Sequence, residues 1–476
     1  MKTNLAVLGG GPGGYSAAFR AADLGLDTVI VEQRGRLGGL CLHEGCIPSK
    51  ALLHIGRGIA RAEEMDEWGI DYGPPEIDVD ALRERKDRCV STLADGLDGL
   101  ARRRKVRVIR ARGTFDGSSA LRLDGKDLPD DRLEFERLVL ATGSLPFVPE
   151  PLRVDSDRLM TSKEALALPD IPESLLVIGG AYVGLEMATT YARLGSRVTV
   201  VEMLDALMPG VDDDLVKPLR EALDSLLHEV SVRTKVESLR RKDDALEAAM
   251  DQDGRSRTET YDRVLVAVGH RTRLDGIGLE TTEVETDEKG FVVVDDRQRT
   301  SDERILAVGD VAGPPLLAHK AFREGHVAAE VVAGERSAFD VLAIPQVVFT
   351  DPEIAWVGVT ETGAGKDGID AQAACFPWNA SGRAHAIGRP DGLTKLLFDR
   401  ETGRLVGAGI VGAEAGELIS ECCLAIETGA RARDLADSIH VHPTLGETLA
   451  NAAASHLGVA TEVAPRKRSA PPGDES

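Results

Sequence analysis

One segment of the chain occurs twice. Residues 5–32 read LAVLGGGPGGYSAAFRAADLGLDTVIVE, and residues 175–202 read LLVIGGAYVGLEMATTYARLGSRVTVVE. Gly9 and Gly179, Gly14 and Gly184, Leu24 and Leu194, and Glu32 and Glu202 are each 170 positions apart. Each copy passes from an apolar strand through a glycine turn into an Ala-rich helix. A Leu-Gly turn then leads to a β-branched strand ending in Glu. This is a βαβ unit with the dinucleotide fingerprint. Its glycines permit a tight turn and close approach to a pyrophosphate at the helix N-terminus, and its acid accepts hydrogen bonds from a ribose.

The copies differ at the middle glycine. The second reads G-x-A-x-x-G, with Ala181 where the first has Gly11, and the extra methyl crowds a pyrophosphate. The carboxylate of Glu202 repels a 2′-phosphate, which favours NAD over NADP. Each unit is followed by a strand running into a glycine turn, at 138–143 and 264–269, and a third such strand at 305–310 ends in an acid. The expected fold is α/β, with two nested Rossmann-like dinucleotide-binding domains. One is built from the flanks (1–149 and 271–344) and the other from the middle (150–270). From Ile344-Pro345 the texture changes to strands, Gly/Pro turns and helices near 414–429 and 443–457, which predicts an α+β domain over 345–462. The Pro-rich, charged tail at 463–476 is expected to be disordered.

A net charge of −22 disfavours nucleic acid and anionic membranes, which need clustered Lys and Arg. It would suit a basic protein partner, but plain solubility is the better reading. No apolar run reaches the ~18 residues of a membrane span. The first strand begins at Asn4, which leaves no room for a targeting peptide, so a cytoplasmic setting is expected.

Of six cysteines, only Cys41 and Cys46, and Cys422 and Cys423, lie close together in sequence. Five residues of regular helix rise about 7.5 Å with side chains diverging, whereas bridged Cα atoms lie ~4.4–6.8 Å apart. Gly38, Gly39 and Gly45 permit a bend that would close the gap, and a following helix N-terminus would stabilise a thiolate. Two inert thiols are an alternative. A metal is a poorer one, because only His43 lies nearby and tetrahedral sites need four ligands. Cys422-Cys423 falls in a predicted helix and reads as small buried hydrophobes.

The landmarks G-G-G-P-G-G at 9–14, C-x-x-x-x-C-I-P-S-K at 41–50, A-T-G-S at 141–144, G-L-E at 184–186, V-G-D-V at 308–311, L-A-H-K at 317–320, FTDPEIAWVGVTE at 349–361 and H-V-H-P-T-L-G-E at 440–447 form a set. With them, the chain from about residue 4 to 460 resembles the pyridine nucleotide–disulfide oxidoreductases, and within them the dihydrolipoamide dehydrogenases. The resemblance implies FAD on the first unit. Gly9, Gly11 and Gly14 would lie at its pyrophosphate, Glu32 on the ribose and Gly113 by the adenine. Gly39, Thr142 and Gly143 would lie along it, Asp310 by the ribityl chain, and Ala318 and His319 near the flavin. NAD would take Gly179, Gly180, Ala181, Val183, Gly184, Glu202, Val236 and Gly269, with Tyr182 as a lid. Lys50, paired with Glu186, would sit by the flavin N5.

The resemblance further implies a redox disulfide in which Cys46 faces the flavin and Cys41 meets the substrate. His442 would be the base and Glu447 its orienting carboxylate. Both would be supplied by the neighbouring subunit, which makes the protein a homodimer. The implied reaction oxidises dihydrolipoyl groups and reduces NAD⁺, without metal. The partner would be a lipoyl-bearing protein of a 2-oxoacid dehydrogenase complex, of glycine cleavage, or a dedicated carrier in another pathway. The alternative enzyme is a flavin disulfide reductase for glutathione, a related thiol or mercuric ion. Glu202 argues against it, as those enzymes mostly prefer NADPH. A non-catalytic assembly subunit would have no use for Cys41, Cys46, His442 and Glu447. The chain departs from the family pattern at His43-Glu44, usually Asn and a small apolar residue. It departs again at Gly269-His270-Arg271-Thr272-Arg273, usually G-R-x-P-N. Charge at His43-Glu44 could tune the thiols.

Overall fold

The computed structural model describes residues 1–128 and 130–464. The sequence tail lies, from residue 465 on, outside the described residues. β1 (Lys2–Leu8), α1 (Pro12–Asp23) and β2 (Thr28–Val31) form the first βαβ unit. Leu5 to Leu8 and all of β2 are buried, as strands covered on both faces must be. Then come α2 (Gly39–Glu44), α3 (Cys46–Glu64), α4 (Val79–Arg103), β3 (Arg107–Ile109), β4 (Arg112–Phe115), β5 (Ala120–Asp124) and β6 (Arg132–Leu140). The sheet order is β3-β2-β1-β6-β5-β4, with β1 parallel to both β2 and β6.

The chain leaves this sheet through β7 (Ser144–Pro146) and enters a second one. That sheet uses β8 (Leu159–Met160), α5 (Ser162–Ala167), β9 (Ser174–Ile178), α6 (Tyr182–Arg193), β10 (Arg197–Val201), α7 (Asp213–Leu226) and β11 (Glu229–Ser231). An antiparallel layer of β12 (Thr234–Lys242), β13 (Ala245–Gln252) and β14 (Arg255–Tyr261) precedes β15 (Arg263–Val266), which completes the order β11-β10-β9-β15-β8. The sequence repeat is also a repeat of register. Val7 faces Ile30 and Val139 in the first sheet, and Val177 faces Val200 and Leu265 in the second. β16 (His270–Thr272) pairs antiparallel with β7, so the outgoing and returning strands run side by side. β17 (Ile305–Ala307) then joins β6, and α8 (Ala318–Val332) crosses α1 at Gly325. A Cβ there would lie 2.2 Å from the Ser16 hydroxyl, so the two helices approach too closely for any side chain.

The last unit is an antiparallel sheet, β18 (Gln346–Val348), β19 (Glu353–Gly358), β20 (Ala371–Pro377), β21 (Leu393–Asp399) and β22 (Leu405–Gly412), ordered β18-β19-β22-β21-β20. Around it lie α9 (Glu361–Asp367), α10 (Gly382–Ala386), α11 (Ala415–Glu427), α12 (Ala432–Asp437) and α13 (Glu447–Leu457). Trp378 is buried in its core and donates to the Thr394 hydroxyl at 2.9 Å. Cys422 is buried on α11. The helix expected from 443 starts only at Glu447, because the segment through Pro443 turns before it. Lys395, 1% exposed, ties β21 to α7 through Asp214 at 2.6 Å and Asp212 at 3.3 Å. Among the described residues no helix is long and apolar enough to cross a membrane.

Candidate active site

A cavity of about 510 Å³ opens where the first glycine turn, α2, α3, α6 and the start of α8 meet. Its floor is the glycine turn. A Cβ on Gly9 (φ +106) would lie 2.3 Å from the Ala141 carbonyl oxygen, and one on Gly14 would lie 1.9 Å from the Gly9 oxygen. Gly11, which caps α1, is less constrained. A Cβ on it would meet only the Gly39 Cα, at 3.8 Å, and the residue lines the cavity. At one end Glu32 accepts from the Gly10 N–H at 2.7 Å and the Arg34 N–H at 2.8 Å. Thr142 lines the same cavity, and its buried hydroxyl has no partner. An amide-rich helix start, a carboxylate beyond it and an orphan hydroxyl suit a dinucleotide, and the volume is ordinary for a cofactor site.

Gly45 separates the two helices that carry the cysteines. Its backbone (φ −147°, ψ −115°) ends α2, and a Cβ there would lie 3.0 Å from the Leu40 oxygen and 3.2 Å from the Cys41 Cα. That fold-back lets Cys41 hydrogen-bond to Cys46, which a straight helix would not. Both are free thiols in this structure. The hydrogen bond from Cys41 lowers the Cys46 pKa more than burial raises it, and the Lys50 ammonium lowers it further. The same hydrogen bond, then burial, pushes Cys41 up. Of the two thiols, Cys46, the first residue of α3, is therefore the one that gives up its proton more readily.

Lys50, one turn along α3, reaches Glu186 of α6 at 2.9 and 3.0 Å, and Glu186 is buried. Phe349 completes this group, and the sequence offered no sign of it beyond the FTDPE run. Its N–H donates to Glu186 at 3.1 Å, and its ring lies 4.4 Å from the Lys50 ammonium. Arg57 of α3 donates to the Phe349 carbonyl and pairs with Glu353. An acid with a lowered pKa is charged from that lower pH upward. In the reduced protein, Cys46 should therefore alkylate at pH values well below the ordinary thiol midpoint of about 8.5. Lys50→Gln should move the midpoint of the iodoacetamide rate upward. An unchanged midpoint would contradict the assigned role of the ammonium.

The second glycine turn repeats the first. A Cβ on Gly179 would lie 2.4 Å from the Ala267 oxygen, and one on Gly184 would lie 2.0 Å from the Gly179 oxygen. Glu202 accepts from the Gly180 N–H at 2.7 Å, as Glu32 does from Gly10. Ala181 (φ −100°, ψ −176°) keeps the conformation of Gly11 (φ −75°, ψ −175°), so the copies differ there only by the methyl. Ala181→Gly is expected to lower the KM for NAD⁺ by about 3–10-fold, by relieving crowding. Steady-state kinetics at saturating dithiol would check this.

Several expected residues converge on the cavity, and others do not. Gly9, Gly11, Glu32, Gly39, Cys41, Cys46, Lys50, Thr142, Gly143, Tyr182, Val183, Glu186, Asp310, Ala318 and His319 line it. The Ser144 hydroxyl donates to Asp310 at 2.5 Å. His319 Nε2 lies 2.8 Å from the Pro345 oxygen, which can only accept from it, and burial lowers the pKa of its ring. Gly113 instead packs on Leu8 and Val31. Val236 is buried in the apolar core beside the second sheet, and Gly14, Gly179, Gly180, Ala181, Gly184, Glu202 and Gly269 lie off the cavity wall. The His43-Glu44 departure has a structural account. His43 Nε2 lies 2.9 Å from the Leu37 oxygen, and Glu44 pairs with Arg34 at 2.8 Å. Among the described residues, no three His, Cys, Asp or Glu side chains are grouped to hold a metal.

His442 and Glu447 form a built pair away from this cavity. His442 Nδ1 lies 2.8 Å from Glu447 Oε1, and Glu447 Oε2 accepts from the Thr444 N–H at 2.8 Å. The imidazole is 80% exposed, and neither residue lines the cavity of its own chain. Ile439 and Val441, beside it, are 101% and 74% exposed. A single chain thus presents an oriented histidine outward on an apolar rim.

The family model for pyridine nucleotide-disulphide oxidoreductases matches residues 3–325. The chain belongs to that family. The dimerisation domain of the pyridine nucleotide-disulphide oxidoreductases matches residues 344–453, the unit that carries His442. The chain is 44% identical to the dihydrolipoyl dehydrogenase of Vibrio cholerae, over 97% of each chain. It is 42% identical to that of Halobacterium salinarum, over 96% of each. Among solved structures it is similar to LpdA from Mycobacterium tuberculosis (TM-score 0.87, 27% identity, 95% of this chain and 99% of that one). The flavoprotein disulfide reductase RclA from Escherichia coli shares the fold (TM-score 0.83, 24% identity, 94% and 98% covered).

Proposed function

We propose that the chain is a dihydrolipoyl dehydrogenase: it oxidises a protein-bound dihydrolipoyl group and reduces NAD⁺ to NADH, using FAD and a Cys41–Cys46 relay. The observation that carries this is the juxtaposition at the cavity of Cys41 and Cys46, folded together at Gly45, with Cys46 beside the Lys50–Glu186 ion pair. Glu32, the glycine turn, Thr142 and Asp310 would hold FAD, and Glu202 with the second glycine turn would hold NAD. Bound FAD supplies the two-electron chemistry that links thiols to a nicotinamide.

The residues of the chain carry the sulfur steps. A dihydrolipoyl thiol loses its proton to the partner subunit's His442, which Glu447 keeps in the accepting tautomer. The thiolate attacks Cys41 Sγ, breaks the Cys41–Cys46 disulfide and leaves Cys46 as a thiolate. The second lipoyl thiol attacks the lipoyl sulfur of the mixed disulfide and closes the lipoyl ring, and its proton passes to the departing Cys41 sulfur. Two electrons now reside on the cysteine pair, with the charge on Cys46 next to Lys50. The dimerisation domain supports a homodimer, and the outward-facing His442 gives that dimer a catalytic reason. The lipoyl group arrives on another protein, and the −22 net charge suits a basic docking module.

The test is anaerobic. Dihydrolipoamide and NAD⁺ should yield one NADH per dithiol oxidised. Oxidation of NADPH by glutathione disulfide at a comparable or greater kcat/KM would replace this reading with that of another disulfide reductase.

A further inference from the structure

We propose that Arg273, with Arg34 beside it, forms a second clamp for the diphosphate of the flavin cofactor, additional to the glycine turn. This rests on the cavity being the FAD site.

Arg273 follows β16, and its N–H donates to the Gly143 carbonyl at 3.0 Å, which pins it beside the strand turn that follows β6. Its side chain lines the cavity together with Glu32, Arg34, Glu44 and His270. The neighbouring groups are already engaged. Arg34 holds Glu44 at 2.8 Å, and Lys163 faces Glu44 at 3.8 Å. Both oxygens of Glu32 accept from backbone amides. Among the described residues, no acceptor is hydrogen-bonded to the Arg273 guanidinium, although the residue is half-buried. The charges acting on it are the cations Arg34 and Arg112 and the carboxylates Glu32 and Glu44. Of these, Arg112 lies off the cavity, so the wall itself sets Arg34 and Arg273 against Glu32 and Glu44, whose oxygens are taken up by groups other than Arg273. Burial, then the charge of Arg34, holds Arg273 below the ordinary arginine range.

A half-buried guanidinium offers five donors, and those of Arg273 are left by the protein for an anion at the cavity wall. Its planar fork matches phosphate oxygens. In a flavin dinucleotide, only the diphosphate is anionic. Two places where the sequence departs from the family pattern, Glu44 and Arg273, thus meet on one wall with Arg34 between them.

The test uses the full chain, stripped of flavin and reconstituted with FAD at low and high KCl, with quenching of flavin fluorescence as the readout. Arg273→Gln should raise the Kd for FAD by about tenfold or more and flatten its salt dependence, while Arg273→Lys keeps part of both. Riboflavin, which has no phosphate, should bind wild type and variant alike. A Kd for FAD within twofold of wild type would overturn the clamp. So would an equal loss of FAD and riboflavin, which would make Arg273 a structural residue. If the apo form of Arg273→Gln melts well below wild type, Arg273→Lys and Arg34→Gln carry the same comparison. Wild-type protein that fails to bind FAD would sink the assignment of the cavity itself, and the clamp with it.

Discussion

Mixing two inactive variants should restore about one quarter of wild-type activity. His442→Gln alone is expected to lose about 10²–10⁴-fold in kcat/KM for dihydrolipoamide, the usual contribution of a general base. Cys41→Ser alone should be inactive, since it lacks the interchange thiol. When equal amounts are dissociated and reassociated, half the dimers are hybrids. Each hybrid then pairs the Cys41 of one chain with the His442 of the other at one of its two sites, which gives about a quarter of full activity by the symmetry of the dimer. The structure motivates this outcome. His442 is 80% exposed, is oriented by Glu447 at 2.8 Å, and does not line the cavity that holds Cys41 in its own chain. No recovery in the hybrid mixture would mean that each chain supplies its own base.

Cys46→Ser should lower turnover by at least about 10⁴-fold, equivalent to ~5.4 kcal/mol of barrier. It should leave flavin binding intact, because Cys46 is not part of the glycine turn or of the Glu32 end. The two cysteines should also differ in spectrum. Cys41→Ser keeps the thiol beside Lys50 and should show the long-wavelength absorbance of a thiolate next to oxidised flavin. Cys46→Ser should show none. The reasoning follows from the lowered pKa of Cys46 and the raised one of Cys41. Equal spectra for the two serine variants would remove the distinction between them.

Much of the framework was legible in the residues themselves. The repeat predicted two βαβ units, and the strand registers preserve it, with Val7 and Val177 in matching positions. A bond between Cys41 and Cys46 would exclude a straight helix between them, and the structure breaks the helix at Gly45. Contacts across distant segments were not legible. Nothing local to Phe349 marks it as a neighbour of Lys50 and Glu186. His43-Glu44 read as a charge pair in the disulfide loop that could tune the thiols. In the folded chain the two residues separate, His43 against the Leu37 carbonyl and Glu44 against Arg34.

The sequence by itself determined the two dinucleotide turns and permitted a bend between the cysteines. These depend on steric limits within a few residues, where a Cβ at Gly14 or Gly184 would meet a carbonyl oxygen at about van der Waals overlap. Only the tertiary structure decided which charges face the cysteines and the cavity. Lys50 finds Glu186, 136 positions away, and Arg273 joins Arg34, because packing of separate elements brings them together. It also decided that His442 points away from its own Cys41. An imidazole 80% exposed and off the cavity of its own chain is placed by the packing of the whole unit, and no local pattern of residues encodes that placement.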